Sequence, residues 1–155
     1  MKFLTALDGP ALRDLDIPEP WSYGRADRVR FGEIDALGHV NNVAYLRWFE
    51  TLRVNYLQDY GVHDYTSDAP RPRIVVKQVS AEYHVELGMT DYIATARTVE
   101  MRRTSFTQHY GLFADGALKT TGAAVVVFLG EDGGKMALPD ALREQLIERD
   151  GTVQV

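Results

Sequence analysis

The chain of 155 residues contains no cysteine. Disulfides, thiolate nucleophiles and cysteine-based zinc sites are excluded at once. Positive charge is also in short supply: 17 Lys and Arg stand against 22 Asp and Glu, a formal net charge of −5. Non-specific binding to nucleic acid draws on a basic footprint, so nucleic acid is not an expected partner. No apolar run approaches the roughly 18 residues a membrane-spanning helix needs. The opening stretch MKFLTALDGPALRDLD is too acidic, and its apolar part too short, for a signal peptide. The expectation is a soluble cytoplasmic protein with no membrane partner. The four histidines (39, 63, 84 and 109) form no HxH or HExxH pair, so no metal site is expected. There is no GxSxG elbow, and no GxGxxG follows a strand. GEDGGK at 130–135 lacks the spacing and the Ser or Thr of a phosphate-binding loop. The familiar serine, cysteine, zinc and dinucleotide chemistries are left without their motifs.

What is present fits one globular domain, with 45% hydrophobic and 25% charged residues. Residues 1–24 hold Gly9, Pro10, Pro18, Pro20 and Gly24 and read as an irregular arm. The domain proper is expected over 25–155. Asp27–Phe31 alternates and predicts a first strand, with a loop from Gly32 to Val40. From Asn42 the period changes. Tyr45, Phe49, Leu52 and Tyr56 fall on one helical face. Asn41 or Asn42 can cap the start, and Gly61 can end the helix. Four strands are expected next, at Gln78–Leu87, Asp91–Arg102, Ser105–Phe113 and Ala117–Leu129, arranged as a meander. Asp115-Gly116 is a hairpin signal. Pro139–Arg149 predicts a short terminal helix. The order β-α-β-β-β-β predicts an α+β fold, one antiparallel sheet of about five strands wrapped around one long helix.

The segment FGEIDALGHVNNVAYLRWFE (31–50) places an acid, Asp35, in the loop that enters the long helix. The first turn of a helix offers unpaired N–H groups and a partial positive charge. Such an end can stabilise an oxyanion, and a nearby carboxylate can activate water or attack directly. Metal-free hydrolysis of an activated acyl group fits these parts. Turn chemistry fits them too: Asp35 as a turn acid, His39 as a polar loop residue, Asn41 and Asn42 as caps, Gly38 as a positive-φ residue.

The string Asp-x-x-Gly-His-Val-Asn-Asn-x-x-Tyr, followed by Trp48 and Glu50, resembles the hotdog-fold thioesterases, most closely the 4-hydroxybenzoyl-CoA thioesterase family. The similarity runs from about Asp27 to Leu129 and leaves out the arm and the terminal helix. It implies a hotdog fold, a curved sheet around a central helix. It implies a homo-oligomer, dimer or tetramer, with active sites between subunits. It implies hydrolysis of an acyl-CoA thioester, or of an acyl-ACP, with no cofactor. By resemblance Asp35 is the catalytic acid, and the Asn42 backbone N–H is the donor to the thioester carbonyl. His39 is a further catalytic candidate. MRRTSF (101–106) resembles the stretch whose basic residues meet CoA phosphates. Arg102, Arg103 and Ser105 are accordingly substrate-binding candidates, together with Tyr45. Thr104 stands where one branch has Lys. Glu33 stands at a position often held by Asp and is expected to support the site. The plant acyl-ACP thioesterases carry an Asn two residues before the His; here that position is Leu37. Two other outcomes are open, a hotdog acyl-CoA hydratase or dehydratase and a non-enzymatic acyl-CoA or acyl-ACP binder.

Overall fold

Asn42–Asp59 forms the long helix, α2. Its start is capped by Asn41, whose side chain accepts the Val43 N–H at 2.8 Å. The face read from the period is the buried one: Tyr45, Phe49, Leu52 and Tyr56 all lie in the core. Gly61, at φ +80°, turns the chain away after Tyr60. The computed structural model describes residues 1–63, 66, 68 and 72–155. Among them no helix is long and apolar enough to cross a membrane.

A seven-stranded sheet wraps α2. Its strands are β1 (Ala6–Asp8), β2 (Tyr23–Arg28), β3 (Arg73–Tyr83), β4 (Asp91–Met101), β5 (Ser105–Ala114), β6 (Ala117–Leu129) and β7 (Val153–Gln154). The spatial order is β1-β2-β4-β5-β6-β3, antiparallel throughout, with β7 added parallel to the end of β4. This is the hotdog arrangement expected, with more strands than the five foreseen. The first strand of the predicted set is Tyr23–Arg28, earlier than Asp27–Phe31. β3 likewise starts at Arg73 and ends at Tyr83, not Gln78–Leu87. β4, β5 and β6 do form a meander, but β3 does not lead into it. β2 already occupies the free side of β4, pairing Tyr23 with Ala96 through Arg28 with Asp91. β3 therefore crosses to the far edge and pairs with β6.

The first 24 residues are not irregular. β1 leads into a short helix, α1 (Gly9–Asp14), capped by Asp8, which accepts the Ala11 N–H at 3.0 Å. Pro10 sits in the first turn, where its missing N–H costs nothing. Leu7, Leu12 and Ile17 pack on Ala26, Ile93 and Phe113, forming a second small core on the outer face of the sheet. At the other end, α3 (Asp140–Asp150) docks through Leu142 and Leu146.

α2 approaches the sheet closely where Phe49 lies over Gly122 of β6. A methyl group added at Gly122 would stand 2.8 Å from the Phe49 ring and 3.0 Å from the Ser80 carbonyl. Overpacking of this kind typically costs about 1–3 kcal/mol. Gly122→Ala is expected to lower the unfolding free energy by that amount, read as a fall in the urea midpoint with the slope of the transition unchanged. An unchanged midpoint would mean that Phe49 has room to move.

Candidate active site at the entrance to the long helix

The chain leaves β2, makes a single 3₁₀ turn at Phe31–Glu33, and then folds back on itself. Ile34 and Val40 form an antiparallel bridge. Between them the Asp35 N–H donates to the His39 carbonyl at 2.9 Å, and the Gly38 N–H donates to the Asp35 carbonyl at 3.0 Å. Gly38 has φ +84°, so the glycine is needed for the turn. One carboxylate oxygen of Asp35 accepts the Leu37 N–H at 2.9 Å. The other has no hydrogen-bond partner among the described residues. The side chain is exposed on a tight, hydrogen-bonded turn.

Glu33 secures this turn to the helix. Its carboxylate accepts the Arg30 N–H at 2.8 Å and the Trp48 indole N–H at 2.9 Å. Its carbonyl accepts the Asn41 N–H at 2.8 Å. Glu33 thus makes hydrogen bonds to the 3₁₀ turn, to the helix cap and to α2 itself. The Val40 N–H donates to the Leu87 carbonyl at 2.7 Å, tying the loop to the β3–β4 connection. Trp48, in turn, is buried and stacked on Tyr92 at 4.2 Å between ring centroids.

Asn42 is the first residue of α2. Its N–H has no partner among the described residues, as befits the first turn of a helix. Its carbonyl accepts the Tyr83 hydroxyl at 2.8 Å, so the end of β3 meets the start of the helix. His39 turns toward Glu86, with Nε2 3.7 Å from the carboxylate oxygen. That is beyond hydrogen-bond range. Tyr45 is 2% exposed, packed between Trp48 and Tyr83; it is wall rather than surface, and burial raises its pKa.

The basic candidates are elsewhere. Arg102 and Ser105 line a cavity of about 280 Å³ with Lys77, Glu100 and Lys135. Its lining also includes Val125 and Val127, which alternate with the core residues Ala124, Val126 and Phe128. It therefore opens on the face of the sheet away from α2. Arg103 does not line it; its carbonyl accepts from the Leu138 N–H and the Arg143 side chain. Asp35 lies beside the start of β4 and Arg102 just after its end. Eleven residues of strand separate them, about 36 Å at roughly 3.3 Å per residue. One chain alone does not bring the acid and these cations together. Lys77, Lys135 and Glu86 were not foreseen. Lys77 stands at a bulge between Val76 and Gln78, where the alternation used to read strand faces breaks down. Among the described residues no group of three His, Asp or Glu is placed to hold a metal ion.

The thioesterase-like superfamily model matches residues 29–146, which span the turn, α2, the meander and most of α3. A crystal structure of a thioesterase-superfamily protein from Jannaschia sp. CCS1 is 43% identical, covers 100% of this chain and 99% of its own, and superposes with a TM-score of 0.94. The chain belongs to the thioesterase-like superfamily. A thioesterase from Thermus thermophilus, solved with coenzyme A and Zn, is 28% identical over 86% of this chain and 98% of its own, with a TM-score of 0.76. The uncharacterized Bacillus subtilis (strain 168) protein YsmA is 28% identical over 144 residues, 89% of this chain and 96% of that one. The superfamily match begins at residue 29, so β1, α1 and β2 lie outside it.

Proposed function

We propose that this thioesterase-superfamily chain hydrolyses acyl-CoA thioesters, with Asp35 as the general base or nucleophile and the Asn42 N–H as donor to the thioester oxygen. The observation that carries the reading is an exposed carboxylate with an unpaired oxygen, held on a rigid turn at the mouth of a helix whose first N–H is free. An N–H at a helix start is worth most to an oxygen that gains charge during attack. The carboxylate is of the right kind to take a proton from water or to add to the carbonyl. That the Thermus relative was solved with coenzyme A supports CoA as the carrier.

The reading needs two copies. β3 is almost wholly exposed along its 11 residues, with Val75, Val76, Val79 and Tyr83 each more than 40% accessible. It pairs with β6 on one side and with no described strand on the other. A long apolar edge of this kind is an aggregation hazard unless it is paired. The proposal is that β3 pairs antiparallel with β3 of a second copy. The Tyr83 end of one copy, which touches Asn42, then lies beside the Arg73 end of the other, with Lys77 near mid-strand. Asp35 of one subunit is thereby set near the cations Lys77, Arg102 and Lys135 of its neighbour, which are available for CoA phosphates. His39 is left beside Glu86 and takes no assigned step.

Free-thiol release from a panel of acyl-CoA esters, short to long and aromatic, tests the activity. Light scattering tests the assembly: a dimer or tetramer of the 17.4 kDa chain is expected at micromolar concentration. Val79→Lys, on the open edge, is expected to shift the population toward monomer and to lower turnover with it. A fully active monomer would overturn the shared site.

A further inference from the structure

A second cavity, of about 360 Å³, lies between α2 and the β1–β2 side of the sheet, at the edge opposite β3. Its volume falls within the range that holds small molecules. Asp35 and Asn42 are not among its lining residues. Leu4 and Arg25 come from the part of the chain that precedes the superfamily match at residue 29. The cavity is thus built partly by a segment that the family pattern does not include.

Its charged groups are unequally engaged. Asp27, Arg30 and Glu33 are all satisfied within the protein. Arg30 bonds both oxygens of Asp27, at 3.1 and 3.2 Å. Glu33 is held by the Arg30 N–H and the Trp48 indole. Arg25 and Arg47 are different. Arg25 makes one bond, to the Leu4 carbonyl at 3.1 Å, and its Nε is buried with no partner among the described residues. The Arg47 guanidinium forms no hydrogen bond or ion pair there either. Two guanidinium groups with no carboxylate bonded to them therefore share one cavity with Asp27, which is paired with Arg30, and Glu33, which is bonded only by neutral N–H groups. A buried N–H left without an acceptor is costly, and a carboxylate accepts from guanidinium groups with favourable geometry. The floor beneath them is apolar and aromatic: Trp48, Leu52 and Tyr92.

We infer that this cleft binds a free monocarboxylate carrying a compact apolar body, its carboxylate held by Arg25 and Arg47 and its apolar part lying on Trp48. Inorganic anions fit less well, because they would leave the aromatic floor uncovered.

Trp48 provides the readout. The only other tryptophan, Trp21, packs against Phe113 on the far side of the sheet. Benzoate and octanoate are to be titrated against the full-length protein, with benzamide, octanamide and inorganic phosphate as controls. Saturable quenching by the carboxylates is expected, with the amides and phosphate at least about tenfold weaker, as loss of a charged hydrogen bond implies. Arg47→Gln, at an exposed helix position, is expected to weaken the carboxylates about tenfold and leave the amides unchanged. Asp35→Asn is expected to leave binding intact. Equal binding of acid and amide, phosphate as tight as benzoate, or full affinity in Arg47→Gln would overturn the inference. So would loss of binding in Asp35→Asn, or benzoate inhibition strictly competitive with acyl-CoA, since either would put the ligand in the substrate path.

Discussion

Replacing Asp35 with Asn is expected to lower kcat for thioester hydrolysis by about 10²–10⁴, the usual loss when a positioned base is removed. That is roughly 3–5 kcal/mol of barrier at about 1.4 kcal/mol per decade. Loss of a nucleophile would cost more. The substitution is nearly isosteric, and the surroundings favour it structurally. The Leu37 N–H needs only one acceptor, which the amide oxygen supplies. The Asp35 N–H and carbonyl, bonded to His39 and Gly38, are unchanged. Asn is also among the best residues for a turn of this type. The thermal midpoint and the binding of acyl-CoA by calorimetry should therefore match wild type while turnover collapses. A merely structural Asp35 predicts the opposite, turnover within a few-fold, and would leave the site without a catalyst. Normal binding with no turnover in wild type as well would favour the binding-protein reading. Hydration of enoyl-CoA without thiol release would favour the hydratase.

Much of this site was legible because its parts are local. A turn acid, a glycine at positive φ and a capping Asn act within a few residues, and Asn41 caps as its type predicts. The helical face of α2 was legible for the same reason, since the period of Tyr45, Phe49, Leu52 and Tyr56 reflects a single packed side. What was not legible depends on distance along the chain. Alternation in β3 correctly signals a strand, but both of its faces are largely exposed, Val79 and Tyr83 included. Alternation cannot say that a strand sits at an edge beyond the reach of the helix. The pairing of β3 with β6 was hidden because β2 had taken the place beside β4. The arm was misread because Gly9 and Pro10 look like breakers, whereas at a helix start they are tolerated. Arg102 was named as a candidate by resemblance, but that it stands just past the end of β4 is a fact of topology alone.

The largest expected effect on stability lies far from the turn, at Asp150. This residue ends α3 and is 5% exposed. Its carboxylate accepts four bonds: from Ser22 Oγ at 2.6 Å, from the Tyr56 and Tyr60 hydroxyls, and from the Thr98 N–H at 2.7 Å. Burial, and after it the charge of Asp150, raises the pKa of both tyrosines well above the ordinary value of about 10. Both keep their protons and can donate. The site thus joins α3, α2, β4 and the segment before β2 through one acceptor. Asp150→Asn preserves the shape and removes half of the accepting capacity. The amide oxygen can keep the Thr98 N–H and the Tyr56 hydroxyl, but the new NH₂ then faces the Ser22 and Tyr60 hydroxyls, which lose their acceptor. Each donor left unsatisfied costs about 1–3 kcal/mol, so a loss of about 2–4 kcal/mol is expected after the hydroxyls reorient. For a domain of this size that is a fall of about 5–15 °C in Tm. Asp140→Asn, an exposed acid in the first turn of the same helix, is the control and should cost less than about 1 kcal/mol. Calorimetric melts of the two variants decide the matter. Equal, small shifts would mean that the four donors find water or one another, and that α3 is held by its other contacts, Leu142, Leu146 and the Arg143 bonds to the Arg102 and Arg103 carbonyls.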